Sequence, residues 1–263
     1  MAPRGEPTTP QQGLPAPSRE WALFLDIDGT LVDIAPTPGS VRIPPRVLET
    51  LAAADTALGG ALALISGRSL ANVDTLTHPH RLSAAGQHGA EWRIDAGRIF
   101  QRPGVSENDL NHVREPLEQY AAENPGVLVE DKGVTIAVHY RLAPDAEAAI
   151  DVLVNDLVDA LPQYGTFKGK SVLEIGPESV DKGICVERFL REEPFARRVP
   201  VYAGDDRTDE DAFAMVNRCG GVAIRVGPQP ADGSHTRAHW QCANVLEFNE
   251  WLAELPQRIA ADD

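Results

Sequence analysis

The sequence predicts an α/β fold, namely a doubly wound, Rossmann-like parallel sheet into which an α+β cap domain is inserted. Short apolar runs alternate with helical stretches over most of the chain, a pattern typical of parallel sheets with helices on both faces. The middle of the chain instead contains alternating strands joined by a turn, which favours an antiparallel sheet. Because 263 residues exceed the usual size of one domain, two structural units are expected.

The core of this fold is predicted from short apolar runs that are flanked by polar residues. Because these runs are almost entirely apolar, we expect them to be parallel strands buried on both faces. They occupy residues 22–25, 61–65, 82–85, 199–202 and 222–226. Helices are predicted over residues 45–54 and 182–190. We therefore expect residues 20–103 and 177–263 to form one core.

The cap is predicted over residues 104–176, between the third and fourth core strands. Strands at 127–132 and 134–141 are joined across Asp131-Lys132-Gly133, a turn sequence typical of a hairpin. A third strand is predicted over residues 171–175. Between them lies a helix with apolar residues on one face, which are Ile150, Leu153, Val154, Leu157, Val158 and Leu161. We expect this insert to lie over the active edge of the core sheet as a lid.

Composition excludes several classes of partner. A formal net charge of −15 argues against nucleic acid and anionic membranes, because both attract basic surfaces. The three cysteines are odd in number and widely spaced, which indicates reduced thiols and a cytoplasmic location. No run approaches the roughly 18 apolar residues of a membrane span. Residues 1–19 are rich in proline and lack an apolar stretch, so they are predicted to be a disordered leader, not a signal peptide.

The first chemical motif follows the first apolar run, where the chain reads Asp26-Ile27-Asp28-Gly29-Thr30. Two adjacent carboxylates repel each other and require a cation or a proton. In open α/β sheets the chemistry lies at the carboxyl ends of the strands. We therefore expect Asp26 to be a nucleophile and Asp28 an acid/base, with Mg²⁺ holding the phosphate to be attacked. The alternative is a strand that ends in an ordinary Asx-rich turn.

Two further motifs indicate a phosphate site. Ser66-Gly67-Arg68 ends another apolar run and begins a helix, so its hydroxyl and backbone N–H groups can bind a phosphate, although an ordinary N-cap serine is the alternative. Lys182 follows Asp181 at the start of a helix, where it opposes the helix dipole. Neutralising a phosphate would explain this lysine, and a solvated surface lysine is the alternative.

The fourth motif is Gly204-Asp205-Asp206, which ends a strand in two adjacent acids. Oxygen ligands of this kind are typical of sites for hard cations. The acids at 209–211 have an adequate interpretation as first-turn residues of the next helix, which we favour for them. If the first and fourth core strands are neighbours, Asp26, Asp28 and Asp205 converge on one cation.

Together these motifs resemble the haloacid dehalogenase superfamily of phosphotransferases, and the chain from about residue 20 resembles its trehalose-6-phosphate phosphatase family. Three segments make the resemblance specific: Gln87-His88-Gly89-Ala90-Glu91, His139-Tyr140-Arg141, and Lys170-x-x-x-Glu174 before Asp181-Lys182-Gly183. One departure is Gly176, because the family usually has a basic residue two positions after the cap glutamate. The absence of this basic side chain is expected to weaken substrate binding unless another group replaces it.

The resemblance implies Mg²⁺-dependent hydrolysis of trehalose 6-phosphate through an aspartyl-phosphate, as the last step of trehalose biosynthesis and with a functional link to trehalose-6-phosphate synthase. The implied catalytic residues are Asp26, Asp28, Ser66 and Lys182. The implied Mg²⁺ ligands are Asp26, the backbone carbonyl of Asp28 and Asp205, and Asp206 is either a further ligand through water or a group that orients a ligand. The implied substrate-binding residues are Thr30, Gly67, Arg68, His88, Glu130, Lys132, Arg141, Lys170 and Glu174.

The cap residues in this set make physical sense without the family. Glu130 and Lys132 share strand parity, as do Lys170 and Glu174, so each pair is expected on one face of its strand. Such a face suits a disaccharide, and a solvated outer face is the alternative. Three other functions remain open: phosphatase action on another sugar phosphate such as sucrose 6-phosphate, a phosphomutase, and a non-catalytic sugar-phosphate-binding regulatory domain.

Overall fold

The computed structural model describes residues 10–95, 97–102, 107–178, 180–229, 233 and 235–261. Within these ranges the chain forms two β-sheets, one of nine strands and one of four. Two separate groups of buried apolar side chains accompany them. One lies around the larger sheet and the other between the smaller sheet and its helices. No helix in the described part of the chain is long and apolar enough to cross a membrane.

The first part of the larger sheet comes from the N-terminal third of the chain. Its elements are β1 (Gln11–Gln12), β2 (Trp21–Leu25), α1 (Pro45–Ala57), β3 (Leu62–Ile65), α2 (Leu70–Thr77), β4 (Ser83–Gly86), β5 (Glu91–Arg93) and β6 (Phe100–Gln101). The strands β2, β3 and β4 are parallel, and their residues are buried throughout, as the apolar runs predict. The short strands β5 and β6 continue the sheet in antiparallel order and were not predicted.

The smaller sheet forms the cap. Its elements are α3 (Asn111–Glu123), β7 (Leu128–Asp131), β8 (Ile136–His139), α4 (Glu147–Val158), β9 (Tyr164–Gly169) and β10 (Val172–Pro177). The strand order is β7-β8-β10-β9, and every pair is antiparallel. Sequence reasoning found the hairpin, the helix α4 and β10 but missed β9. It also extended the hairpin strands too far, because Lys132 and Arg141 lie just beyond β7 and β8.

The C-terminal part returns to the larger sheet. It contains α5 (Lys182–Phe189), β11 (Val199–Gly204), α6 (Glu210–Arg218), β12 (Val222–Val226), β13 (Trp240–Cys242) and α7 (Val245–Ala261). The complete order is β1-β13-β12-β11-β2-β3-β4-β5-β6. The strand β11 lies in parallel register beside β2, so the first and fourth predicted core strands are neighbours. This pairing brings the carboxyl ends of both strands to one edge of the sheet.

Residues 1–19 are predicted to be a disordered leader, but the structure gives residues 10–19 defined contacts with the core. Residues 1–9 lie outside the described residues, but Gln11–Gln12 pairs in parallel with β13. The indole Nε1 of Trp251 donates a 2.9 Å hydrogen bond to the carbonyl of Pro15, and Pro15 and Pro17 are buried. The prediction of disorder is therefore wrong for residues 10–19. The sequence of this segment contains few large apolar residues, so it did not indicate packing. The contacts that order the segment are made with β13 and with Trp251, which are distant in the sequence.

Candidate active site

The site begins where neighbouring parallel strands of the core sheet end. Asp26 follows β2, Asp205 follows β11, and Ser66 follows β3, so the sheet order brings all three to one edge. Gly29 has a φ of +88°, and a Cβ there would collide with the Asp205 carboxylate. Glycine is therefore required at this turn both for its backbone conformation and for the close approach of Asp205.

Lys182 lies at the centre of this edge and is buried. Its Nζ donates to Asp26 Oδ1 at 2.8 Å and to Asp209 Oδ1 at 2.6 Å. Burial lowers the pKa of Lys182, but the charges of Asp209 and Asp26 outweigh it, so the pKa lies well above the ordinary value. The lysine thus carries a positive charge into the site, and the alternative of a solvated surface lysine is wrong. The side chain of Asp181 caps α5 by accepting from the Ile184 N–H at 2.7 Å.

Asp209 organises the site and was missed by sequence reasoning, which favoured a first-turn helix acid. Its side chain is fully buried. In addition to Lys182, its Oδ1 accepts from the Tyr202 hydroxyl at 2.7 Å, and its Oδ2 accepts from the backbone N–H groups of Asp205 at 3.0 Å and Asp206 at 2.9 Å. The signal that could have found it is the third acid of the Asp205-Asp206-x-x-Asp209 spacing, which is the reach of a capping box.

The carboxylates of this cluster fit a hard divalent cation. Asp26, Asp205 and Asp209 each offer an oxygen within 4.8 Å of the others. Burial raises the pKa of Asp26 to about 7 despite Lys182, and burial with the charge of Asp26 raises the pKa of Asp205 to about 8. Asp205 Oδ1 is buried and has no hydrogen-bond partner among the described residues. An all-oxygen donor set with an unused buried acceptor is the chemistry that Mg²⁺ requires.

Besides Asp26, which accepts from Lys182, two of the predicted metal ligands have other partners for their side chains. Asp28 accepts from Arg68 at both oxygens, from Nε at 2.5 Å and from Nη2 at 2.7 Å. Asp206 Oδ1 accepts from the Arg207 N–H at 2.7 Å and so caps the short turn that follows. The predicted ligand of Asp28 is its backbone carbonyl, which the ion pair with Arg68 leaves available. The role of Asp206 at a metal stays a prediction.

The predicted phosphate-binding motif Ser66-Gly67-Arg68 was also compatible with Ser66 being an ordinary helix N-cap. The residue that caps α2 is Ser69, whose hydroxyl accepts from the Asn72 N–H. Ser66 lies one turn earlier, is buried, and lines the cleft beside Gly67. The N-cap of α2 is therefore Ser69 and not Ser66, whose hydroxyl accepts from the Arg68 N–H at 3.2 Å.

The cap contributes a second group of charges opposite the core. Lys132 Nζ donates to Glu174 Oε2 at 2.8 Å and to the backbone carbonyl of Gly67 in the core at 2.8 Å. His88 Nε2 lies 3.5 Å from the same Glu174 oxygen. Burial raises the pKa of Glu174, but the charges of Lys132 and His88 outweigh it, so the pKa lies well below the ordinary value. Glu174 is thus an ionised, buried acceptor between cap and core.

The remaining predicted cap residues lie on the same side. Glu130 Oε2 and His139 Nε2 form a hydrogen bond of 2.9 Å. Although burial opposes it, this bond lowers the pKa of Glu130 below its usual value. Arg141 Nη2 donates to the Lys170 carbonyl at 2.7 Å.

Core and cap residues together enclose one open cleft of about 930 Å³. Every predicted site residue lines it except Thr30, whose hydroxyl is fully buried without a hydrogen-bond partner among the described residues. Thr30 lies in the turn after β2, and its role in substrate binding stays a prediction.

A largely parallel core sheet with acids at its edge and an inserted antiparallel cap is the fold of solved phosphatases of the haloacid dehalogenase superfamily. The fold matches a solved phosphatase of that superfamily from Bacteroides thetaiotaomicron with a TM-score of 0.58 at 15% identity, over 97% of each chain. It also matches the C-terminal domain of Candida albicans trehalose-6-phosphate phosphatase with a TM-score of 0.79 at 21% identity, over 91% of this chain and 93% of that one.

Sequence comparison identifies the family within this class. The trehalose-phosphatase family model matches residues 24–245, so the chain belongs to the trehalose-phosphatase family of enzymes. The chain is 40% identical to trehalose-6-phosphate phosphatase of Escherichia coli (strain K12), over 93% of this chain and 90% of that protein. It is 45% identical to a probable trehalose-phosphate phosphatase of Sinorhizobium fredii, over 79% of this chain and 78% of that protein.

Proposed function

We propose that this protein hydrolyses trehalose 6-phosphate to trehalose and inorganic phosphate with Mg²⁺, as the last step of trehalose biosynthesis and after a trehalose-6-phosphate synthase. Membership of the trehalose-phosphatase family supports the substrate. The observation that carries the chemistry is the cleft itself. It has a buried Asp26–Lys182–Asp209 cluster on one side and an ionised, partly unpaired Glu174 on the other.

The proposed nucleophile is Asp26. Lys182 holds its Oδ1, which fixes the plane of the carboxylate and leaves Oδ2 to attack phosphorus. The new bond from oxygen to phosphorus forms an aspartyl-phosphate as the bond from phosphorus to the sugar oxygen breaks. Lys182 is positioned by Asp209 to neutralise charge on the phosphoryl group, and the Ser66 hydroxyl and the nearby backbone N–H groups donate to its oxygens.

Asp28 is the proposed general acid and then the general base. It donates a proton to the departing sugar oxygen and later accepts one from the water that attacks the aspartyl-phosphate. Both of its oxygens accept from Arg68 in the structure, so the Arg68 side chain must release one oxygen for the proton to move. Arg68 thereby fixes the orientation of Asp28 between the two steps.

The proposed Mg²⁺ ligands are Asp26, the backbone carbonyl of Asp28 and Asp205, with Asp206 acting through water. When bound, the ion neutralises negative charge on the phosphoryl oxygens. The unused Oδ1 of Asp205 supports this assignment.

The cap is proposed to bind the sugar. Glu174 Oε1 is buried without a hydrogen-bond partner among the described residues, so it is an acceptor that a sugar hydroxyl can satisfy. Glu130, Arg141 and Lys170 line the same cleft and add charged partners for the other hydroxyls. Since Lys132 contacts both Glu174 and Gly67, sugar binding in the cap is tied to the phosphate loop of the core.

Phosphate release from a panel of sugar phosphates tests this proposal. Trehalose 6-phosphate, sucrose 6-phosphate and glucose 6-phosphate are compared with Mg²⁺, with excess chelator, and with Ca²⁺ in place of Mg²⁺. We expect clear preference for trehalose 6-phosphate, loss of activity in chelator, recovery with Mg²⁺, and poor recovery with Ca²⁺ because its coordination is larger and looser.

Each other result points to a different function. Equal efficiency on all three substrates would leave only a general sugar phosphatase. Transfer of the phosphate to a sugar without release would indicate a phosphomutase. Binding of trehalose 6-phosphate without turnover would indicate a regulatory domain, and full activity in chelator would overturn the metal assignment.

A further inference from the structure

The face of the cap sheet that lines the cleft carries an aromatic residue, Phe167, which has no role in the proposed function. In the register of the four cap strands, Glu130 lies opposite Ala137, Ala137 opposite Glu174, and Glu174 opposite Phe167. Directly opposite residues of antiparallel strands point to the same face. One row across the sheet therefore reads acid, small residue, acid, aromatic ring. Glu130, Glu174 and Phe167 all line the active-site cleft.

The Phe167 ring is held flat against the core. It stacks on the His88 ring with centroids 5.6 Å apart and an angle of 13° between the planes. His88 belongs to a turn at the end of β4 and has a φ of +55°, so its ring is aimed by the backbone as well as by packing. Because Phe167 remains partly exposed in the cleft, the His88 ring covers only part of it.

The space that Phe167 occupies depends on Gly176. A Cβ on Gly176 would lie 3.2 Å from Cε2 of Phe167 and 3.0 Å from Cγ2 of Thr135. Both distances are tighter than ordinary contacts between carbon atoms. The larger side chain that the family usually has at this position therefore has no room while the Phe167 ring holds its present position. The glycine and the aromatic ring form one local arrangement.

We propose that Phe167, whose ring occupies the space left by Gly176, is a specificity-determining residue. Its ring packs against the apolar face of a pyranose ring of the substrate. This inference rests on the proposed action on a sugar phosphate. A pyranose ring presents C–H bonds on its faces and hydroxyls around its edge. Beside Phe167 the site offers an apolar ring next to the free acceptor Glu174 Oε1, which matches both parts of a sugar.

The first test compares Phe167→Leu, which removes the ring, with Phe167→Tyr, which keeps it. We expect Phe167→Leu to raise KM for trehalose 6-phosphate about tenfold, equivalent to ~1.4 kcal/mol, with kcat nearly unchanged and Phe167→Tyr close to wild type. Hydrolysis of acetyl phosphate, which has no sugar, is expected to be unchanged in both variants. The control is Phe100→Leu, because Phe100 also stacks on a ring, that of Trp92, but lies outside the cleft.

A second test separates contact with the sugar from support of His88. His88→Asn removes the stacking partner and keeps a residue type that tolerates positive φ. We expect Phe167→Leu to raise KM for trehalose 6-phosphate in this background as well. If its effect disappears there, Phe167 acts only through His88 and the proposal is wrong.

The remaining outcomes are equally decisive. An unchanged KM in Phe167→Leu, or an equal loss on acetyl phosphate, overturns the sugar contact while leaving the proposed function intact. A wild-type enzyme that hydrolyses acetyl phosphate but not trehalose 6-phosphate overturns the proposed function, and this inference falls with it.

Discussion

The two sides of the cleft differ in how far their polar groups are satisfied. On the core side, Asp209 accepts four hydrogen bonds and Lys182 lies between two carboxylates, all of them buried. On the cap side, Glu174 keeps one buried oxygen unused, and Glu130 and His139 form a partly exposed pair. The charges around Lys182 are thus held in place before substrate arrives, with Asp205 Oδ1 left over for a cation, whereas the cap leaves Glu174 Oε1 for a sugar hydroxyl.

This difference follows from the task of each side. A transferring phosphoryl group needs charges that are fixed before the reaction and cost nothing to reorganise. Recognition of a neutral disaccharide instead needs donors and acceptors that are incomplete without it, since a satisfied group gains little from a new partner. The comparison predicts that core variants affect every substrate, while cap variants affect only sugar substrates.

The largest effect is expected for Asp26→Asn, which keeps the shape of the side chain but removes the attacking oxygen. Turnover of both trehalose 6-phosphate and acetyl phosphate should fall by at least roughly 10⁴-fold, as for other nucleophiles. Asp33→Asn, an exposed acid outside the active-site cleft, is the matched control. If Asp26→Asn retains more than a few per cent of wild-type turnover, Asp26 is not the nucleophile.

A smaller effect, on the free energy of unfolding, is expected when the buried Asp209 carboxylate is removed. Asp209→Ala leaves the Tyr202 hydroxyl and two backbone N–H groups without their partner, so the free energy of unfolding should fall by about 3–5 kcal/mol. Urea denaturation measures it. The control Asp211→Ala removes an exposed first-turn acid and should cost at most about 1 kcal/mol. Equal costs for both variants would contradict the organising role of Asp209.

The smallest effect expected is the contribution of Glu174 to the free energy of unfolding, which depends on pH. The folded-state pKa of Glu174 lies below its unfolded value, so its contribution to stability is complete above the unfolded pKa of about 4.3. It is lost as pH falls below that value toward the folded pKa. Compared by urea denaturation, wild type should exceed Glu174→Gln by about 1–3 kcal/mol at pH 7, and the gap should shrink in acid. A gap that is constant or grows in acid would contradict the ion pair with Lys132.

Sequence reasoning found the buried parts of the fold more readily than the edges. The strands β2 and β3 are apolar throughout, and β4, β11 and β12 are largely apolar, with Ser83 in β4 and Arg225 in β12, so their pattern favours buried strands. The strand β9 reads YGTFKG, so its two glycines and the spacing of Tyr164 and Phe167 hide from the sequence the regular alternation of burial that the structure shows. The strands β1 and β13 have two and three residues, and their pairing depends on the finished sheet.

The site shows the same division. Asp26 and Lys182 were found because an acid that ends a buried strand and a lysine at a helix start both require an explanation. Asp209 was missed because an acid at a helix start already has an explanation, and its full burial is what the structure adds to the spacing of the three acids. Phe167 was missed because it lies in the unpredicted strand β9, where its neighbours Glu174 and His88 come from distant parts of the sequence.

The most direct test of the central claim is the ratio of kcat/KM for trehalose 6-phosphate to that for acetyl phosphate in Glu130→Ala and Glu174→Ala. We predict that each variant loses about 2–4 kcal/mol in kcat/KM on trehalose 6-phosphate, because charged partners of the sugar hydroxyls are removed. Both variants, and the exposed control Glu178→Ala, should hydrolyse acetyl phosphate almost as well as wild type. Equal losses on the two substrates in Glu130→Ala and Glu174→Ala would contradict the division between a chemical core and a sugar-reading cap.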